Sequence, residues 1–504
     1  MMSLLGRFLL SRRVGIQVSY YTLGNFLVAV ASIVSFPFLT RMLPITDYGL
    51  ISLITTTLFV LNTLSKFGIQ HSIVRYQSQA TSGRYSFDLR TFHSTTILAM
   101  GGMGLAVTLL WLAVLWLLPM HWFDDPRLPT LFAATSVLIF FGVLESCLIN
   151  FLRAEQRSFE FASYLVVKRW ASLGIIVGML VFVSPDVRSF YAATLLFEPI
   201  SIVVLAFLVL GRNPITQISR FAFSWPLFAE MVRYGIPIMI GYELTDVLLH
   251  LADRYVVQAM LGTESLGIYT AAYNLCQFIQ TIIINSIILA IMPIYIRIWE
   301  EKGKKAVQDF IYNALVWYVI FAVPVVAGMV VVGPELLVLL ASQKYATGSV
   351  IIPWVVAGIV VNGANVFMGA GIFIGQQSRI LMPLFLLSVV FNIILNILLI
   401  PKFGLIGPAF ATFASYAMLL LAMAVKGARW LPVHIPWRSL AKASLASAVM
   451  FKVVSTLNFG ENLTTIIVRI GAGVVIYSLL IVVLEPHARA IGCLVWNRLT
   501  RVTS

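Results

Sequence analysis

RIWEEKGKKAVQDFIYNALVWYVIFAVPVVAGMVVV (297–332) sets a cluster of cations, Arg297, Lys302, Lys304 and Lys305, against an apolar run that ends at Val332. An α-helix rises about 1.5 Å per residue, so roughly 20 apolar residues cross the hydrocarbon core of a bilayer. The same pairing of a long apolar stretch with a flanking cationic gap recurs along the chain. It predicts fourteen spans, near 16–42, 47–70, 91–118, 128–152, 163–183, 189–210, 230–260, 265–296, 309–332, 347–374, 380–400, 405–425, 437–457 and 463–484. Only Pro401, Lys402, Phe403 and Gly404 separate two of these runs, so the total rests on the charge pattern as well as on length.

That pattern alternates. One side takes Arg153, Arg157, Lys168, Arg169 and the 297–305 cluster, in gaps or near span ends, whereas the loops of the other hold only Arg41, Arg127, Arg188, Lys344 and Lys402. Positive charge marks the cytoplasmic side of a membrane protein, so the rich set faces inward and an even span count leaves both termini in the cytoplasm. The net charge of +14 is thereby explained without nucleic acid, because the cations stand at span ends and form no separate basic domain. With 60% hydrophobic and 11% charged residues and a mean hydropathy of +0.95, a soluble domain is excluded.

The N-terminal run from Val14 onward exceeds a signal-peptide core and reads as a retained first helix, with Leu4, Leu5, Phe8 and Leu9 against Arg7, Arg12 and Arg13 forming a short surface helix before it. Cys147, Cys276 and Cys493 are far apart, without metal or redox spacing, and read as small packing residues. Trp122, Trp299, Trp430 and Trp437 stand near span ends, where indole rings anchor. Outer loops are too short to fold, so any work is done within the membrane.

A shift of 218 residues sets Met42, Leu43 and Gly49 on Met260, Leu261 and Gly267, and Ala193 and Thr194 on Ala411 and Thr412. The repeat predicts an all-α polytopic membrane protein with two six-helix lobes, 1–212 and 213–428, related by a pseudo-twofold axis along the membrane normal. Residues 429–504 add two helices and a cytoplasmic tail. Alternating-access transporters are often built this way.

Enzyme signatures are missing: there is no phosphate loop, no metal-spaced cluster and no nucleophile elbow, so no catalytic or metal-binding residue is assigned. The informative residues are polar groups inside spans, each costing about 2.5–3.5 kcal/mol near mid-membrane on insertion scales. Glu243, Asp246, His250, Asp253 and Arg254 of the seventh span fall within an arc of roughly 100° on a regular helix. Glu243 and Asp246 are the candidates for binding a coupling ion, a proton or sodium, with a structural interhelical bond as the alternative. Asp253 and Arg254 fit either a cavity wall or an interfacial pair.

The eighth span places Asn274, Gln277, Thr281 and Asn285 on one face, beside Tyr269 and Tyr273, which suits a hydroxyl-rich ligand such as a sugar or, alternatively, helix packing. Asn362, Asn365, Asn392 and Asn396 read as glue between helices. Lys66 can snorkel to the inner surface, Lys452 and Arg469 fit either snorkelling or a lipid phosphate, and Glu145 and Glu198 fit either an interhelical bond or coupling. Pro37, Pro237, Pro293 and Pro324 interrupt helices, and kinks at Pro237 and Pro293 flank the polar faces.

Four segments resemble one known family. DYGLISLITTTLFVLNTLSKFGIQHSIVRY (47–76), FLRAEQRS (151–158), LADRYVVQAMLGTESLGIYTAAYNL (251–275) and FNIILNILLIPKFGLIGPAFAT (391–412) are similar to turns of the polysaccharide repeat-unit flippases of the Wzx type, in the multidrug/oligosaccharidyl-lipid/polysaccharide exporter superfamily. The resemblance implies a fourteen-helix transporter of the bacterial cytoplasmic (inner) membrane. It moves an oligosaccharide on undecaprenyl pyrophosphate from the cytoplasmic to the periplasmic leaflet for lipopolysaccharide or exopolysaccharide synthesis, alongside a polymerase and assembly proteins. It also implies cationic cavity residues, for which this sequence offers Arg254, Lys66 and Arg41. A peptidoglycan-precursor flippase and a multidrug antiporter are the alternatives inside the superfamily; a membrane polymerase or glycosyltransferase is the alternative outside it.

Overall fold

A computed structural model describes residues 12–81, 87–119, 124–211, 219, 222–457 and 463–489. The expected surface helix around Leu4 to Leu9, Cys493 and Trp122 lie outside the described residues, as do the side chains of Asp246, His250 and Asn285. The described residues are helical throughout, with no strand. Eleven helices among them are long and apolar enough to cross a membrane. The segments expected as the seventh, eighth and thirteenth spans are helical too, but carry more charged and amide side chains. The chain is an all-α polytopic membrane protein.

It forms two compact units, Met1–Gly267 and Ile268–Ser504. In the first, the helices are α1 (Arg12–Met42), α2 (Ile45–Ser65), α3 (Ile69–Thr81), α4 (Leu89–Leu117), α5 (Leu128–Thr135), α6 (Val137–Ala154), α7 (Ser158–Phe182), α8 (Val187–Leu210) and α9 (Trp225–Ile238). A wide π-helical turn, Met239–Leu244, joins α9 to α10 (Thr245–Ile279), which bends at Gly262 and carries the chain out of this unit. The core gathers Ile69, Phe92, Met100, Val143, Phe151 and Met231 from α3, α4, α6 and α9. Outward faces show large apolar side chains such as Leu110, Trp116, Val181 and Phe182, as expected where the solvent is lipid.

Helix ends are fixed by side chains in the short connecting turns. Asp88 accepts the amide of Thr91 at 2.8 Å and Asp186 that of Ser189 at 2.8 Å, each satisfying a donor that a helix start leaves orphaned. Asp47, in the first turn of α2, accepts the Arg127 guanidinium at 2.8 Å and the Val187 amide at 2.9 Å. One buried carboxylate thus ties the ends of α2, α5 and α8 together, which gives the Asp-Tyr-Gly sequence at 47–49 a structural purpose.

The second unit continues with α11 (Asn285–Ala341), bent at Gly303. Then come α12 (Ile352–Gly363), the short α13 (Asn365–Met368) and α14 (Ala370–Ile374), α15 (Leu381–Phe403), α16 (Ile406–Gly427), α17 (Trp437–Thr456) and α18 (Leu463–Leu484). Asn392 donates across to Thr412 at 3.2 Å, the amide glue expected between α15 and α16, and within α15 Asn396 donates to the Asn392 side chain at 2.9 Å, all buried. The final two helices dock on α11 through Val316, Ile320, Ala443, Met450, Tyr477 and Ile481. The expectation that Arg469 snorkels or meets a lipid phosphate is corrected here. Its side chain is buried, ion-paired with Glu335 and donating to the Leu457 carbonyl at 2.7 Å, because a buried guanidinium is stable only when its donors are met.

Candidate functional site

Within the first unit, α2 breaks where α9 gives way to the wide turn. Lys66 caps α2, Phe67 and Gly68 take left-handed conformations with φ of 46° and 76°, and α3 restarts at Ile69. Such conformations strain any side chain except glycine's, so Gly68 suits the second position. A Cβ on Gly68 would collide with the backbone of Gly235, and one on Gly235 with Gly68. Two residues beyond Gly235 stands Pro237, whose missing N–H and bulky ring disturb the helical ladder, and the wide turn follows.

The break turns three side chains toward one carboxylate. Glu243, in the wide turn, accepts Gln70 Nε2 at 2.5 Å, lies 3.0 Å from His71 Nε2 and 3.4 Å from Lys66 Nζ. The side chains of Lys66, Glu243 and His71 are 16%, 24% and 33% exposed, so the cluster is partly open. Against an ionised carboxylate the imidazole Nε2 must be the donor. Beside it, Ser72 Oγ donates to the Met231 carbonyl at 2.7 Å and the Arg75 guanidinium lies 4.6 Å from the Tyr234 ring centroid.

Farther along the same seam, Arg254 Nη1 donates to Thr56 Oγ1 at 3.1 Å and the Tyr255 hydroxyl to Thr57 at 2.9 Å. Asp253 is buried next to them. Of the residues proposed for a cavity, the structure therefore joins Lys66 to Glu243 and sets Asp253 and Arg254 on the same α2–α10 contact. Arg41 is exposed in the last turn of α1. In the second unit Tyr269 and Tyr273 are buried, with ring centroids 5.7 Å apart; Asn274 and Gln277 are half-buried, and the exposed Thr281 donates to the Gln277 carbonyl at 3.0 Å. Neither tyrosine ring is open to solvent.

Sequence reasoning missed Gln70 and His71, because it carried the second span unbroken to residue 70; the Phe67-Gly68 pair was the available signal. It singled out Glu145 and Glu198 for an interhelical bond but missed Lys168 as the partner that joins them. Lys168 Nζ lies 2.7 Å from Glu145 and 2.9 Å from Glu198, with the Tyr164 hydroxyl on Glu145 at 3.1 Å and Ser201 Oγ on Glu198 at 3.2 Å. Lys168 was expected on the cytoplasmic side near the start of a span from 163, but α7 starts at Ser158 and puts it midway along the helix. Among the described residues no group of His, Cys, Asp and Glu could hold a metal ion.

Comparison with known proteins gives three results. The model of a family described as polysaccharide biosynthesis protein matches residues 14–299. An uncharacterized membrane protein of Methanocaldococcus jannaschii is 25% identical over 231 residues, 45% of this chain and 44% of its own; a probable low-salt glycan biosynthesis flippase, Agl15, of Haloferax volcanii is 20% identical over 238, 46% and 50% respectively. The chain thus spans about half the length of the curated relatives it matches. Among solved structures, the lipid II flippase MurJ in an inward closed conformation superposes with a TM-score of 0.71 at 15% identity, over 92% of this chain and 98% of that one. An inward-facing multidrug resistance MATE transporter of the MOP superfamily gives 0.63 at 13%, over 80% and 94%. These two likenesses concern the fold.

Proposed function

The chain belongs to the polysaccharide biosynthesis protein family, and from that membership we propose that it is a flippase moving a lipid-linked oligosaccharide, carried on a prenyl pyrophosphate, from the cytoplasmic to the outer leaflet. The observation that carries the reading is the ionic seam of α2, α3 and the wide turn, where Glu243 meets Lys66, Gln70 and His71 amid membrane-spanning helices. A sugar crossing hydrocarbon would leave each hydroxyl unpaired at a cost of several kcal/mol, roughly 4–8 for transfer to an alkane, so the headgroup needs a polar path while the prenyl tail stays in lipid. The seam offers that path a cation at Lys66, a guanidinium at Arg254 and hydroxyls at Thr56 and Thr57.

In this reading Arg254 meets a phosphate, Glu243 or Asp246 takes the coupling ion, and the two repeat-related lobes, 1–212 and 213–428, work by alternating access. The protein sits in the cytoplasmic membrane with its charge-rich gaps and both termini inside. The named function of Agl15 and the family description support a glycan cargo.

Alanine at Glu243, Asp246 and Arg254 tests the site in cells that depend on this protein for surface polysaccharide. Each variant is expected to reach the membrane at normal level and to abolish or strongly reduce polymer. Undiminished polymer from all three overturns the site. Rescue of a strain lacking its peptidoglycan-precursor flippase, or of one lacking a multidrug antiporter, would replace the cargo.

A further inference from the structure

Glu243 is held as a bound anion would be. Its carboxylate takes an ammonium, an amide N–H and an imidazole N–H from Lys66, Gln70 and His71, all supplied by the α2–α3 break. A phosphate oxygen accepts the same three donors, and charge-assisted bonds to either group are of similar strength. One atom is left over. Gln70 is 7% exposed, and its Oε1 is buried with no hydrogen-bond partner among the described residues. An orphaned buried acceptor is costly and points to a donor from a ligand. A phosphate diester or diphosphate has no donor to give at neutral pH, but the hydroxyl of an adjoining sugar has.

We propose that Lys66, Gln70 and His71 form the binding site for a glycosyl phosphate, the phosphate at Lys66 and His71 and a hydroxyl of the first sugar at Gln70 Oε1, and that Glu243 is an internal counter-anion which this headgroup displaces. The proposal rests on the flippase reading for its substrate class. Displacement makes the empty carrier neutral at this point: without cargo the cations are satisfied inside the protein, so no bulk anion is carried across in its place. Binding of cargo frees Glu243 from α3. The network that ties the α2–α3 break to the wide turn is then broken by the substrate itself.

An internal competitor lowers apparent affinity by the fraction of time it occupies the site. The test therefore turns on sign. With purified full-length protein in detergent and inorganic pyrophosphate as the probe, measured by calorimetry, Glu243→Gln is expected to bind about tenfold or more tightly than wild type, given the strength of an ion pair at this separation. Lys66→Met should weaken binding, and Lys66→Met with Glu243→Gln should bind more weakly than Glu243→Gln alone. Glu160→Gln, in another ion pair at the start of α7, should leave affinity unchanged.

Affinity unchanged or lower in Glu243→Gln overturns the proposal, as does equal tightening in Glu160→Gln, which would mark an effect of overall charge. Should Glu243→Gln not fold, Glu243→Asp draws the carboxylate back by one methylene and is expected to tighten binding to a smaller extent. A prenyl-linked sugar phosphate, compared with pyrophosphate, should lose its advantage in Gln70→Leu. Because these are affinities of purified protein, they can fail while polymer export stands, and export can fail while they hold.

Discussion

Gly49 and Gly267 meet backbone to backbone: a Cβ on Gly49 would strike the Thr263 carbonyl and the Gly267 amide, and one on Gly267 the Ile45 carbonyl. The contact lies within the first unit and joins the start of α2 to α10 just past its bend. Small residues let membrane helices approach to backbone contact, where dispersion and carbonyl dipoles replace a hydrophobic drive that lipid does not supply.

Gly49→Ala is accordingly expected to destabilise by about 1–3 kcal/mol, the usual cost of overfilling a packed contact. The check is the melting temperature of detergent-purified protein. Gly102→Ala, where nothing lies within 4 Å, is the control and should melt as wild type. Equal melting of the two would remove the contact from the account.

Lys168→Met leaves Glu145 and Glu198 facing each other at the middle of their spans. Removing one member of a buried ion network costs about 3–5 kcal/mol, whereas removing the whole network with apolar replacement is often neutral. The single variant should therefore yield little monodisperse protein on size exclusion. Lys168→Met with Glu145→Gln and Glu198→Gln should recover most of the yield. A stable single variant would show that the network does not hold α6, α7 and α8 together.

For the last two helices the prediction is a coupling. Arg469→Leu and Glu335→Gln should each lower stability, the arginine variant more, because it also frees the Leu457 carbonyl. The double variant should fall short of their sum by about 1–3 kcal/mol, the range for residues in direct contact. Additive effects in thermal melts would deny the pair a role in docking α17 and α18.

Acid should loosen the capped helix ends first. The side-chain bond from Arg127 holds Asp125 below the ordinary carboxylate range, and bonds with Thr91 do the same for Asp88. Burial alone would raise Asp186, but its bonds with Ser189 outweigh that and lower it. A depressed native pKa contributes stability that is complete above the unfolded value, about 3.9, and is lost as pH falls through the native one. Melting temperature should thus be flat with respect to these groups above about pH 5 and fall below about pH 4, less steeply in Asp125→Asn. A fall already complete at pH 5 would assign it to other groups.

The helices and their membrane destination were legible because lipid imposes a composition that no loop imitates; 381–403 and 406–427 stand apart although only Gly404 and Leu405 separate them. The site was legible only in part. Glu243 and Lys66 stood out as charges in apolar runs, yet nothing in periodicity joins residues 177 positions apart. The predicted stripe from Glu243 to Arg254 assumed a uniform helix, whereas Glu243 lies in the wide turn and Arg254 beyond it, so the shared azimuth does not follow. Lys168 was misplaced because a cation near a span end and one mid-span differ only by where the helix begins. That start, Ser158, follows a turn in which Gln156 adopts φ of 57°, which composition does not announce.

The wide turn at Met239–Leu244 has a further consequence for movement. Hydrocarbon forbids a helix from opening into a loop, since each bare amide or carbonyl would go unsatisfied. A bulge escapes that prohibition: it can migrate a residue at a time as each N–H trades one carbonyl for its neighbour, like a ruck passing along a carpet. A turn of this kind lets α9 and the start of α10 rotate against each other, Glu243 with them, without uncovering their backbone to oil.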